Sequence, residues 1–155
     1  MTDSVFDPNT FLDAETTAAF TRRPPIPAGV ELLGIIGEPR VQRFSKKDGS
    51  GEFMKVFIPV TVDLTSYPEV HAHVQQNTVI LTDNMFLDVT DDGRLDDTPG
   101  RNLRLGSYRK ATGLNEEGTR FTLRMLQGRT VKVRIRQEQD QNGEMRDAIG
   151  SVGAP

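Results

Sequence analysis

A chain of 155 residues with 35% hydrophobic and 26% charged residues has the size and apolar content of one domain built on a β-rich core. It has no cysteine, which excludes a disulfide framework and thiolate metal sites and points to a cytosolic setting. The formal net charge is -3, yet between Arg101 and Arg136 ten Lys or Arg stand against only Glu116 and Glu117, so this stretch is +8 and the remainder -11. That asymmetry marks either a surface that meets a polyanion or a plain solvated charged face.

Residues 1–27 read as an acidic, proline-terminated N-terminal arm. Asp3, Asp7, Asp13 and Glu15 come before any basic residue, the reverse of a signal peptide, and Pro24, Pro25 and Pro27 exclude regular structure at its end. No stretch approaches the roughly 18 apolar residues of a membrane helix, so a soluble protein with no membrane partner is expected. Residues 28–155 form the folded domain. Ala28 to Phe44 predicts a curved first strand, with Val30, Leu32 and Ile36 as its apolar residues and Gly34 and Gly37 where it can bend. Ser45 to Glu52 carries the Asp-Gly chemistry of a hairpin.

A second strand starts near Phe53, where Met54, Val56, Ile58, Val60, Val62 and Leu64 alternate strictly and define the core face. A loop follows with Tyr67, Pro68, His71 and His73. The third strand spans Thr78 to Val89, with Val79, Leu81, Met85, Leu87 and Val89 inward and Asp83 marking a bulge or strand end. After an acidic loop from Asp88 to Pro99, Leu103 to Thr112 predicts a helix capped by Asn102 and ended by Gly113. Gly106 inside it costs about 1 kcal/mol relative to alanine. Phe121 to Gln127 is a short turn closed by Gly128. Thr130 to Glu138 and Glu144 to Val152 are the fourth and fifth strands, joined by Gln141-Asn142-Gly143. The order β-β-β-α-β-β describes an all-β fold, a five-stranded Greek-key barrel of the oligonucleotide- and oligosaccharide-binding (OB) type with one inserted helix. Function must come from the outward side chains.

On the second strand those are Phe53, Lys55 and Phe57, and Phe86 falls on the same side of the third. Exposed rings gain from a stacked base whichever base it is, by about 1–3 kcal/mol. The competing reading is that the N-terminal arm or a partner subunit covers them. On the fourth strand Lys132, Arg134 and Arg136 share one side, about 6.6 Å apart at a rise of roughly 3.3 Å, a spacing that can follow a phosphate backbone. Arg40, Arg43, Phe44, Lys46 and Lys47 near the first hairpin read either as a flexible basic finger over bound strand or as residues that only keep the hairpin soluble. Arg104, Tyr108, Arg109 and Lys110 lie on the predicted helix, with Arg101 beside it; some of these arginines can instead lie over the barrel end with packed stems.

Catalysis finds little support. Asp88, Asp91, Asp92, Asp96 and Asp97 do not match the calcium-loop spacing, and His71 and His73, on one side of an extended segment, lack a third ligand. Gly100 to Gly106 contains no Gly-Lys-Ser/Thr, and no nucleophile-base pair stands out. A non-enzymatic protein without metal or cofactor is expected. The leading reading is sequence-tolerant binding of single strands, and the runner-up a protein that uses the same face for protein contacts.

The second half of the chain, about Thr78 to Val152, resembles bacteriophage-encoded single-stranded DNA-binding proteins with this barrel. The similar stretches are Phe86-Leu87-Asp88-Val89-Thr90, Asp92 to Asp96, Gly100-Arg101-Asn102 leading to Leu105-Gly106, Tyr108 to Leu114, and Leu126-Gln127-Gly128-Arg129. The resemblance implies a phage replication or recombination protein that coats exposed single-stranded DNA in the cytoplasm of the infected bacterial host. It is compatible with replication or recombination proteins, or a second copy of the chain, as partners, and in the runner-up reading with a phage structural or assembly protein. The sequence departs from many such proteins in ending Ile149 to Pro155 without an acidic tail closed by an aromatic residue.

Overall fold

A computed structural model of the protein describes residues 7–155, leaving Asp3 of the arm outside the described residues. The described chain forms one antiparallel sheet of six strands: β1 (Glu31–Ile36), β2 (Arg40–Ser45), β3 (Glu52–Asp63), β4 (Thr78–Leu87), β5 (Thr130–Gln139) and β6 (Met145–Gly153). Three helices accompany it, α1 (Pro8–Leu12), α2 (Pro68–Val74) and α3 (Leu103–Ala111). Strand order is β2-β3-β1-β5-β6, with β4 on the other edge of β3.

The expected single first strand is two strands, which raises the count from five to six. Between them Gly37 and Pro39 turn the chain as it passes from β5 to β3: Ile35 and Ile36 pair with Thr61 and Val60, and Gly37 N donates to Pro59 O at 2.8 Å. Within β1 itself a Cβ on Gly34 would lie 2.4 Å from Val60 Cγ1, so a side chain there would displace the core.

The alternation of β3 buries Val56, Ile58, Val60 and Val62, and the same face continues to Leu64 in the 3-10 turn Leu64–Ser66. Leu32 and Ile36 of β1, Val79 and Leu81 of β4 and Val131, Val133 and Ile135 of β5 complete this layer, with Leu105, Tyr108 and Ala111 of α3 packed on it. The end of the arm joins in. Ile26 is fully buried, its N–H donates to Asp147 Oδ2 at 2.8 Å, and Arg23 pairs with the same carboxylate.

The sheet stays unclosed: β4 and β6 lie side by side without a strand ladder. Asp83, expected at a bulge or strand end, sits instead in unbroken register opposite Ile58 and is buried. Its Oδ2 accepts from Arg104 Nη2 at 2.7 Å and Tyr108 Oη at 2.7 Å, and Arg104 Nη2 also donates to Ile149 O at 2.8 Å. Arg104 therefore spans the open seam from a β4 carboxylate to a β6 carbonyl. A bulge in β6 helps: Arg134 faces Ser151 but Ile135 faces Ile149, leaving Gly150 extra, with its carbonyl 3.3 Å from Arg104 Nη1.

Three more expectations change. Val89 lies beyond β4, exposed, in an isolated bridge to Leu95 within the acidic loop. The segment with His71 and His73 is a helix, not a loop, because Pro68 starts it and Val70 and Val74 are spaced to face the core. Asn102 precedes α3 but does not cap it, since its side chain instead accepts from Asp88 N at 2.9 Å and donates to Asp88 O at 2.8 Å.

Candidate nucleic-acid interface

Register decides which outward side chains meet. Phe44 stands opposite Phe53, Lys55 lies between Gln42 and Phe86, and Phe57 lies between Arg40 and Asn84, so three cross-strand rows from β2, β3 and β4 share the solvent side. Phe44 and Phe53 stack at 5.3 Å between centroids with 12° between planes. Phe53 meets Phe86 at 5.3 Å and 58°, and Phe44 meets Phe57 at 6.4 Å and 49°. Lys55 Nζ sits 4.6 Å from the centroid of Phe86 and 5.9 Å from that of Phe44.

Four rings and one ammonium thus form a continuous platform. Phe44, Phe53 and Phe57 are half-buried against one another, and Phe86 remains 63% exposed. The end of the arm is held elsewhere: Arg22 and Arg23 pair with Asp140 and Asp147 at the β5–β6 hairpin, and Pro25 O lies 3.2 Å from His73 Nε2. No family model matches the chain. Nor does any curated protein match it in sequence.

The hairpin between β2 and β3 adds cations beside the platform. Lys46 and Lys47 lie at its exposed tip, where Asp48 Oδ1 accepts from Ser50 N at 2.9 Å and so orders the turn. Arg40 is exposed at the other end of β2. Arg43, grouped with them by sequence, belongs to the alternate side of β2 opposite Met54 and ion-pairs with Glu52 at 3.4 Å. It does not join the platform.

The row on β5 has the expected orientation but not the expected charge. Lys132, Arg134 and Arg136 are all exposed. However, Glu31 of β1 is the cross-strand partner of Arg134 and reaches it at 3.8 Å, while Glu138 pairs with Arg136 at 2.9 Å. Lys132 alone of the three has no ion pair among the described residues. β1 separates this row from the platform, so the structure does not bring the two together.

On α3 the four residues divide. Tyr108 is fully buried, and burial, followed by the adjacent Asp83 charge, pushes its hydroxyl pKa far up. Arg104 is engaged by Asp83 and two carbonyls of β6. Both are removed from the interface because their donors are spent on holding the seam. The signal for this was available: a lone acid on an otherwise apolar strand face, and an Arg and a Tyr four residues apart on one helix face. Arg109 and Lys110 remain outside the core; Arg109 Nη2 donates to Leu114 O at 3.1 Å and its guanidinium lies 4.4 Å from the Phe121 ring centroid. Phe121 had no distinguishing signal in the sequence. Among the described residues no group of three or more His, Cys, Asp or Glu is placed to hold a metal, and no helix is long and apolar enough to cross a membrane.

Proposed function

We propose that this protein binds single-stranded nucleic acid without reading its sequence, seating bases on Phe44, Phe53, Phe57 and Phe86. The observation that carries this reading is the ring platform itself. Four phenylalanines on the solvent side of a sheet expose apolar area that folding alone would hide, and each offers a face on which any base can stack. Lys55, Arg40, Lys46 and Lys47 border the rings and are placed to meet phosphates, contacts that hold a strand without specifying it. Duplex DNA keeps its bases paired and away from such a surface.

The OB-type barrel is the finer description we favour for the fold. A bent first strand shared between β3 and β5, a long second strand, and a helix between the third and fourth of five topological strands support it, with β1 and β2 counted as halves of one. In that fold the face of the second and third strands and the loop between the first two strands take up oligonucleotides. These are the positions of the platform and the Lys46-Lys47 hairpin. The resemblance of Thr78 to Val152 to phage single-stranded DNA-binding proteins supports a non-catalytic role in phage replication or recombination.

The test is a titration of fluorescently labelled oligo-dT by anisotropy at several salt concentrations, beside a duplex of equal length. The expected result is binding of the single strand that weakens linearly in logarithmic salt, and little binding of the duplex. Absence of single-strand binding at low salt would overturn the proposal.

A further inference from the structure

The positive excess between Arg101 and Arg136 is not spent on β5, where acids neutralise two of three cations. Four of its members, Arg101, Arg109, Lys110 and Arg120, line one open pocket of about 670 Å³ between the loop from Leu95 to Asn102, the outer side of α3 and the segment from Asn115 to Phe121. Among the described residues, Arg109, Lys110 and Arg120 have no acid at ion-pair distance. Asp96 and Asp97 also line the pocket, and the Asp96 carboxylate, which accepts from Thr98 Oγ1 at 2.6 Å and from Thr98 N, has its pKa held low and so stays ionised. Arg101 pairs with Asp88 and Asp96 at 3.9 and 4.0 Å, which leaves Arg109, Lys110 and Arg120 against Asp97. The balance stays positive by two charges.

Arg109 is oriented before any ligand arrives, by Leu114 O on one side and the Phe121 ring on the other. The pocket also adjoins the platform. Asn102, on its rim, bonds the backbone of Asp88 in both directions, and Asp88 follows Phe86 by two residues. At roughly 3.3 Å per residue and one hydrogen bond, the rim lies about 10 Å from the strand position of Phe86.

We propose that this pocket is a second phosphate site, which takes the sugar-phosphate backbone of the same single strand as it leaves the phenylalanine platform. The proposal rests on the platform reading for its partner, and assigns a binding role to Arg120, which no motif singled out as a strand contact, beside Arg101, Arg109 and Lys110. An open, cationic, mixed polar and apolar pocket suits a chain of spaced negative charges better than a small neutral molecule.

Two probes separate the site from the platform. Inorganic tripolyphosphate, which has no bases, should shift amide resonances of Gly100 to Ser107 and Lys110 to Phe121 in the full chain, and the exposed pair Lys110→Gln and Arg120→Gln should abolish those shifts. Oligo-dT of about 4 and about 16 nucleotides, the extremes for such folds, tests continuity. The double variant should leave the short oligonucleotide within about twofold of wild type, weaken the long one about tenfold, and reduce its logarithmic salt slope by roughly 1.4. Absence of tripolyphosphate shifts at the pocket overturns the site whatever the oligonucleotides do. Equal losses for both lengths, or none, overturn the strand path. If wild type binds neither length while tripolyphosphate still titrates the pocket, the platform falls and the polyanion site stands.

Discussion

Phe86→Ala puts the stacking platform to its sharpest test, because this ring is the most exposed of the four and its structural and binding contributions can be separated. A Phe side chain presents about 200 Å² when free, and with 63% of Phe86 exposed only about 70 Å² is covered. At roughly 25 cal/mol per Å² that covering is worth at most ~2 kcal/mol, an upper bound that includes its contacts with Phe53 and Lys55. Urea unfolding should therefore shift modestly, with an unchanged m-value. Binding should suffer more: losing one stacked base costs about 1–3 kcal/mol, or about 5- to 150-fold in Kd for oligo-dT. Phe86→Leu is the control, since it restores apolar cover over Phe53 without a flat ring. Anisotropy titrations at fixed salt should rank wild type, then leucine, then alanine, with leucine close to alanine. If the leucine variant binds as tightly as wild type, Phe86 acts as apolar cover and the stacking argument fails.

Asp83→Ala removes the one acceptor shared by Arg104 and Tyr108. Tyr108 cannot reach water but the partly exposed Arg104 can, so denaturant unfolding should show a loss of about 2–4 kcal/mol; a loss under about 1 kcal/mol would mean the seam is held by packing alone. Replacing Lys132, Arg134 and Arg136 together by glutamine should reduce the logarithmic salt slope for oligo-dT by about 0.7, one contact rather than three, because Glu31 and Glu138 already neutralise the arginines; a fall of two units would refute that accounting. The Asp140 carboxylate is held below its ordinary pKa of 3.8, first by the Arg22 hydrogen bond and then by the Glu144 and Asn142 amides. Because the folded value is the lower one, its stabilisation is fully present above the ordinary value and lost as pH falls through the lowered one. Amide protection at Asn142 and Glu144 should hold down to about pH 4 and then fall, and Asp140→Asn should remove that step; a titration of the hairpin near neutrality would contradict it.

What the sequence revealed followed from periodicity. Six alternating aliphatics from Met54 to Leu64 gave the face of β3 and so the outward direction of Phe53, Lys55 and Phe57, because a period of two leaves no freedom once one face is buried. The platform as a cluster was less legible. Stacking of Phe44 on Phe53 depends on a hairpin register that Asp48 and Ser50 set, and the contact of Phe86 with Phe53 depends on a pairing across 33 positions of chain. The helix Pro68–Val74 was hidden by its shortness, since two apolar residues four apart make a weak helical signal even behind a proline. Asp83 was misread because an acid on an apolar face has two explanations, a break in the strand or a buried partner, and only tertiary packing chooses between them.

Ion pairing, not net charge, determines where this acidic protein can meet a polyanion. Arg22, Arg23, Arg43, Arg94, Arg101, Arg104, Arg134 and Arg136 each face a carboxylate within 4 Å, so their charge is largely cancelled at the distances a ligand would feel. The cations without such partners among the described residues include Arg40, Lys46, Lys47 and Lys55 around the rings and Arg109, Lys110 and Arg120 around the pocket beyond Asn102. A uniform surface with a charge of -3 would repel a phosphate chain. Uncompensated cations concentrated at two neighbouring places create a local field that screening confines to about 8–10 Å at physiological ionic strength, so the acidic remainder scarcely opposes a strand already lying along it. The same confinement explains why the β5 row, which looked like the strongest cationic feature in the sequence, ranks below the platform: Glu31 arrives from β1, and no reading along β5 alone could have shown it.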